Sequence, residues 1–208
     1  TSPLNPSLFL PLNVQNSSQI EEVFEAIKNQ WGHIDGLVHC LAFAGKEELV
    51  GNYSATSSEG FSRALEISAY SLAPLCKYAK PLFSKGAGVV TLTYLGAERA
   101  IPNYNVMGVA KAALESSVRY LAMDLGKKNI RVNSLSAGTI KTLAASGIGD
   151  FRYIMKWNEL NSPLKRNVTQ NEVGKAALFL LSEMSSGITG ENLHVDAGYH
   201  IVGMKAED

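Results

Sequence analysis

The sequence is poor in everything that would cross-link it, anchor it or charge it strongly. It holds two cysteines, Cys40 and Cys76, in 208 residues. Both lie inside apolar segments, so two reduced, buried thiols are expected, not a disulfide or a metal site. No apolar run approaches the roughly 20 residues of a membrane helix, so no membrane partner is expected. The first residues lack a basic stretch followed by an apolar one, so no secretory signal is expected and the location reads as cytoplasmic. Charge of one sign is missing too: 19 basic residues balance 19 acidic ones, and no Lys/Arg block occurs. That argues against nucleic acid as the main partner. His33, His39, His194 and His200 show no metal-ligand spacing and read as structural or exposed.

Hydrophobic residues make up 46% and charged residues 18%, ordinary values for a chain with one good core. Residues 1–208 are expected to form one domain. Strand and helix patterns alternate, which implies an α/β fold with a mostly parallel sheet covered on both faces. Leu8 to Val14 reads as a short strand. Ser17 or Ser18 caps a helix with Ile20, Val23, Phe24, Ile27 and Trp31 on one face, and Gly32 ends it. Ile34 to Ala42 reads as a buried strand, Gly88 to Tyr94 and Ile130 to Ala137 as further strands, and Asn192 to Asp196 as the last. Helical patterns cover Phe61 to Phe83, interrupted by Pro74 and Pro81, then Asn103 to Gly126, and Thr169 to Met184. Between them, about residues 139–164, small residues give way to an aromatic, amphipathic stretch that suits a segment folded over a pocket.

Tyr104 and Lys111 stand seven residues apart in the long helical pattern. Seven residues are nearly two turns, so both side chains share one face, separated by roughly 10 Å of rise. A phenol there can hydrogen-bond a carbonyl oxygen that gains negative charge, and an ammonium can hold sugar hydroxyls of a cofactor. A second phenol, Tyr94, stands where the apolar run Gly88-Val-Val-Thr-Leu-Thr93 stops. No tyrosine in the chain is followed by lysine four residues on; after Tyr104 that position is Gly108.

This stretch resembles the enoyl-acyl-carrier-protein reductases, a divergent branch of the short-chain dehydrogenase/reductases. That branch places six residues between Tyr and Lys, where the ordinary superfamily places three. Asp35-Gly-Leu-Val-His-Cys-Leu-Ala-Phe-Ala44, Asn133-Ser-Leu-Ser-Ala-Gly138, Thr142-Leu-Ala-Ala-Ser-Gly147 and Ile188-Thr-Gly-Glu-Asn-Leu-His-Val-Asp-Ala-Gly198 agree as well. The resemblance runs from about Leu8 to Val202. It implies a Rossmann-like doubly wound sheet, NADH as cofactor, an enoyl thioester on acyl carrier protein as substrate, and a homotetramer. The glycine-rich turn that opens such a sheet is missing. The first two strands and their helices, roughly 50 to 60 residues, are therefore expected to be absent from this chain, which would leave a strand edge bare.

The resemblance also implies roles. Tyr104 donates to the substrate oxygen, Lys111 binds the nicotinamide ribose, and Tyr94 lines the substrate side. Asn13 and Val14 lie beside the adenine, with Asn13 where the family has Asp. Leu41 and Ala42 approach the cofactor through the backbone. Ile140, Lys141, Thr142, Leu143 and Ala144 follow the next strand toward carboxamide and pyrophosphate, after Thr139, which replaces the more usual proline. Ala44 lies on the acyl path. Leu49, Phe151, Ile154 and Ala144 read equally as an acyl tunnel or as core packing. Asp124, Glu115 and Arg119 read as helix-face or subunit contacts. Two other readings stay open: a ketoacyl reductase, and a non-catalytic fragment or assembly subunit of the same fold.

Overall fold

Four parallel strands carry the fold: β1 (Ile34–His39), β2 (Phe83–Thr93), β3 (Arg131–Ala137) and β4 (Asn192–Val195), in the spatial order β1-β2-β3-β4. The computed structural model describes residues 6–141 and 151–204. Helices connect the strands: α1 (Ser17–Trp31), α2 (Ser58–Leu65), α3 (Leu72–Ala79), α4 (Asn105–Gly126), α5 (Phe151–Asn161) and α6 (Gln170–Leu181). Successive strand residues face opposite sides of a sheet. Val89 and Val132 accordingly pack against Leu114, Val118 and Leu125 of α4 with Leu72 and Cys76 of α3. Val90 and Leu135 pack on the other side against Val173 and Leu180 of α6. A third cluster joins Ile20 and Phe24 of α1 to Leu75 and Ala79 of α3. Both faces are covered, as the alternating pattern implies.

Several boundaries differ from the sequence reading. Residues 8–14 form no strand; the segment is irregular and Phe9 is 89% exposed. A strand exists by pairing, and among the described residues β1 pairs with β2 alone. That bare edge also explains why β1 is half-exposed and not buried, and why Cys40 just beyond it is exposed while Cys76 is buried. β1 ends at His39, short of Ala42. The cap of α1 is Asn16, whose side chain accepts from the Ser18 and Gln19 N–H groups, not Ser17 or Ser18. The expected helix over residues 61–83 is two helices joined by a wide π-type turn, Glu66–Tyr70. Pro74 sits in the first turn of α3, where a missing N–H costs nothing, and Pro81 follows its end. α6 starts from a capping box of Thr169 and Glu172, and ends at Leu181, before Met184.

His39 is structural. Its Nδ1 lies 2.7 Å from Thr91 Oγ1 and its Nε2 2.8 Å from Ser71 Oγ, which in turn donates to the Ile67 carbonyl. Ser71 therefore accepts from Nε2–H, and the imidazole ties β1 and β2 to the head of α3. Burial, with the nearby Lys111 charge second, lowers its pKa to about 4 and keeps the ring neutral.

Candidate active site

Ligands of open α/β sheets sit beyond the carboxyl ends of the strands. A cavity of ≈ 480 Å³ lies at that end here, within the usual range for small-ligand sites. Its walls come mainly from five places. Ala42, Phe43, Ala44 and Leu49 follow β1; Tyr94 follows β2; Tyr104 and Met107 open α4; Thr139 and Ile140 follow β3; Phe151 and Ile154 come from α5. Most of this lining is apolar.

Two tyrosines dominate one wall. The rings of Tyr94 and Tyr104 meet edge to face, with centroids 5.0 Å apart. Tyr104 is the residue just before α4, so the helix begins two residues later than the sequence suggests. Asn103 and Asn105, with φ of 61° and 38°, flank it in the left-handed region that asparagine tolerates best after glycine. The turn Leu95–Ala97 lies flat against the ring because residue 96 has no side chain: a Cβ on Gly96 would stand 2.3 Å from Tyr104 Cδ1. A Cβ on Gly108 would stand 2.6 Å from the Gly96 carbonyl oxygen. Burial first, and then neighbouring Tyr94 and Glu115, push the Tyr104 phenol well above the ordinary tyrosine range, so it stays protonated.

Lys111 stands two turns along the same face, only 6% exposed. Its ammonium donates one hydrogen bond, 2.7 Å to the Leu92 carbonyl, and that is its only one among the described residues. Burial lowers its pKa to about 8, against the opposing pull of Cys40 and Glu115. A buried cation with donors to spare fits vicinal sugar hydroxyls. Glu115, one turn further, accepts 2.6 Å from Thr93 Oγ1. It therefore links α4 to β2 and is not a plain helix-face residue; burial raises its pKa first, while the Thr93 bond lowers it.

Among the expected site residues, Ala42, Ala44, Leu49, Tyr94, Tyr104, Ile140, Phe151 and Ile154 line the cavity. Lys111 lies behind it on α4. The side chains of Leu41 and Val14 pack toward the α1–α3 cluster. Asn13 sits in the turn before α1, where its side-chain oxygen accepts from the Gln15 N–H. Lys141 is exposed and outside the lining. Thr142, Leu143 and Ala144 lie outside the described residues. Sequence reasoning missed Asn158 of α5, which is buried against Thr139. Its spacing from Phe151 and Ile154, i+7 and i+4, was the available signal.

An open parallel sheet with helices on both faces and its cavity at the strand ends is a Rossmann-like α/β protein. Residues 2–200 match the family described as "Enoyl-(Acyl carrier protein) reductase". The chain is 57% identical over 202 residues to the enoyl-[acyl-carrier-protein] reductase [NADH] FabI of Nostoc sp., covering 97% of this chain and 78% of that one. It is 59% identical over 196 residues to enoyl-[acyl-carrier-protein] reductase [NADH] 1 of Rhizobium meliloti, covering 94% and 72%. The crystal structure of the Bacillus cereus enoyl-acyl carrier protein reductase with NADP+ and indole naphthyridinone superimposes with a TM-score of 0.94 at 51% identity, covering 97% and 79%. That of the Anaplasma phagocytophilum enzyme in complex with NAD gives 0.90 at 48% identity, covering 96% and 74%. The chain belongs to the enoyl-(acyl carrier protein) reductase family.

Proposed function

We propose that the protein reduces trans-2-enoyl thioesters carried on acyl carrier protein, using NADH, as a step of fatty-acid elongation in the cytoplasm. The observation that carries this reading is the pair Tyr104 and Lys111, buried on one face of α4 beside a largely apolar cavity. The names of the relatives, all NADH enoyl reductases, support it. So does Gly108. A ketone reductase of the superfamily would carry its lysine there, and any Cβ at that position meets the Gly96 carbonyl.

NADH, when bound, supplies a hydride to the β-carbon of the enoyl group, and a proton drawn ultimately from solvent adds at the α-carbon to complete the reduction. The chain's own part is to hold charge and exclude water. As charge grows on the thioester oxygen, the Tyr104 phenol donates a hydrogen bond to it from a dry site, where such a bond counts most. Lys111 offers its remaining N–H groups to the nicotinamide ribose. Asn13 and Val14 serve the adenine side; Leu41 and Ala42 after β1, with Ile140, Lys141, Thr142, Leu143 and Ala144 after β3, serve the rest of the cofactor. Tyr94 buttresses the Tyr104 ring on the substrate side. Ala44, Leu49, Phe151 and Ile154 offer the acyl chain an apolar slot. The deciding assay follows NADH absorbance in the complete protein with a trans-2-enoyl thioester and, separately, a 3-ketoacyl thioester. Oxidation with the first alone is expected; oxidation with the second alone overturns the reading.

The same reading includes a homotetramer. Val109, Ala112, Ser116, Tyr120 and Met123 make one outward stripe on α4, with Tyr120 68% and Met123 69% exposed. Ala113, next to this stripe in the chain, packs inward against the core. A helix apolar on two faces is normally covered on both. Light scattering of the complete protein at micromolar concentration is expected to give a tetramer's mass, and a monomer's mass refutes it.

A further inference from the structure

α5 places Phe151, Ile154 and Asn158 on one face, at spacings i, i+3 and i+7. The first two line the cavity, as an apolar substrate requires. The third is a carboxamide only 6% exposed, and an amide buried without partners is costly. Partners explain its place. Its Nδ2 donates to Thr139 Oγ1, and Thr139 is itself 6% exposed and part of the cavity wall. Both side chains stand close enough to the Tyr94 phenol to act on it as donors, and both work against the burial that raises its pKa. Three elements otherwise far apart in the chain, the end of β2, the end of β3 and α5, thus meet at one hydroxyl. A proline at 139 would have no hydroxyl to contribute.

We infer that Thr139 and Asn158 are positioning residues for the reduction: they form a buried hydrogen-bond bridge that holds the Tyr94 hydroxyl toward α5 and so ties the seating of the acyl-side helix to the tyrosine pair. Asn158 donates to Thr139, and both side chains turn donors toward the Tyr94 oxygen, the sense in which each lowers the phenol's pKa against burial. So held, Tyr94 braces the ring of Tyr104, the donor to the thioester oxygen, edge to face at 5.0 Å between centroids. The inference rests on the enoyl reductase reading.

The test is steady-state kinetics of the complete protein with a trans-2-enoyl thioester and NADH. Thr139→Val and Asn158→Leu keep volume and remove the polar atoms. Each is expected to lower kcat roughly tenfold, the worth of about one hydrogen bond, with the KM for NADH unchanged. Thr139→Ser, which keeps the hydroxyl, is expected to retain at least half of the wild-type kcat. In a Tyr94→Phe background the two substitutions are expected to have no further effect, since the hydroxyl they hold is gone. Unchanged kcat in both single variants overturns the proposal. So does an equal loss in the Tyr94→Phe background, which would assign the effect to packing alone. If Asn158→Leu does not fold, as judged by its circular dichroism, the Thr139 pair carries the same comparison. A wild-type protein inactive on the enoyl thioester counts against the reductase reading itself, while an active wild type with unaffected variants counts against the bridge alone.

Discussion

Replacing Tyr104 with phenylalanine is expected to lower turnover roughly 100- to 1,000-fold, the usual cost of losing one donor to a developing oxyanion. The change removes a single oxygen and keeps the ring that packs on Gly96 and Tyr94, so the site itself should stay assembled. The dissociation constant for NADH should hardly move. Lys111→Ala is expected to do the reverse first. In the proposed role its ammonium donates to the nicotinamide ribose, and losing two hydrogen bonds from a charged donor is expected to weaken NADH binding roughly 10- to 100-fold. The affinity should also depend on pH. Lys111 has a pKa lowered to about 8, so its charge is present at neutral pH and lost as pH rises through that value. NADH binding to the wild type should therefore weaken above about pH 8, and binding to Lys111→Ala should lose that dependence. Fluorescence titration across this range, beside single-turnover kinetics, reads both effects. If the tyrosine change chiefly alters NADH affinity while the lysine change leaves it intact, the two roles are wrongly assigned.

Arg131→Met is expected to be the most destabilising single change away from the site. Arg131 opens β3 and is 5% exposed, without a carboxylate partner among the described residues. Its guanidinium instead closes the end of α6. Nη1 donates 2.6 Å to the Leu180 carbonyl and 2.5 Å to Ser185 Oγ. Nη2 donates 3.2 Å to the Leu181 carbonyl and 3.0 Å to that of Ser182. The last carbonyls of a helix have no partner within it and carry its partial negative charge, so a planar cation with several donors satisfies them together. Burial lowers the arginine's pKa, yet arginine remains charged at any ordinary pH. Methionine would leave several buried carbonyls unpaired, at an expected cost of about 3–5 kcal/mol in unfolding free energy. In a chain of this size that corresponds to a Tm lower by about 10 °C. Arg131→Lys should recover less than half, because one ammonium cannot span carbonyls spread along a turn. Denaturant unfolding of the three proteins measures this, and a loss under about 1 kcal/mol for the methionine variant would falsify the capping role.

The residues that the sequence marks as a site are mostly those whose relation is local. Tyr104 and Lys111 share a face because a helix repeats every 3.6 residues, whatever surrounds it. The run from Gly88 to Thr93 is a strand because it is apolar on both faces, which suits the interior of a parallel sheet. Gly32 ends α1 through its own positive φ, 74°. Even local rules slip by a residue: Asn16 outcompetes Ser17 and Ser18 as the cap of α1 because the chain turns there, and side-chain chemistry alone does not distinguish the three.

Features that depend on residues far apart in the chain were settled only by packing. The apolar content of residues 8–14 is strand-like, but strand identity requires a partner ladder, and none is present among the described residues. The exposure of Cys40 depends on whether anything covers the edge of β1, which its apolar neighbours in sequence do not report. Asn158 looks like an ordinary polar residue on an amphipathic helix until folding sets it against Thr139, nineteen residues away, and against Tyr94. Arg131 reads as a strand-edge charge until α6 delivers its carbonyls. Periodicity in the chain set the sheet, the helices and the Tyr104–Lys111 face. Packing decided which buried polar groups found partners, because a hydrogen bond's worth depends on the desolvated neighbour it meets and periodicity carries no information about that neighbour.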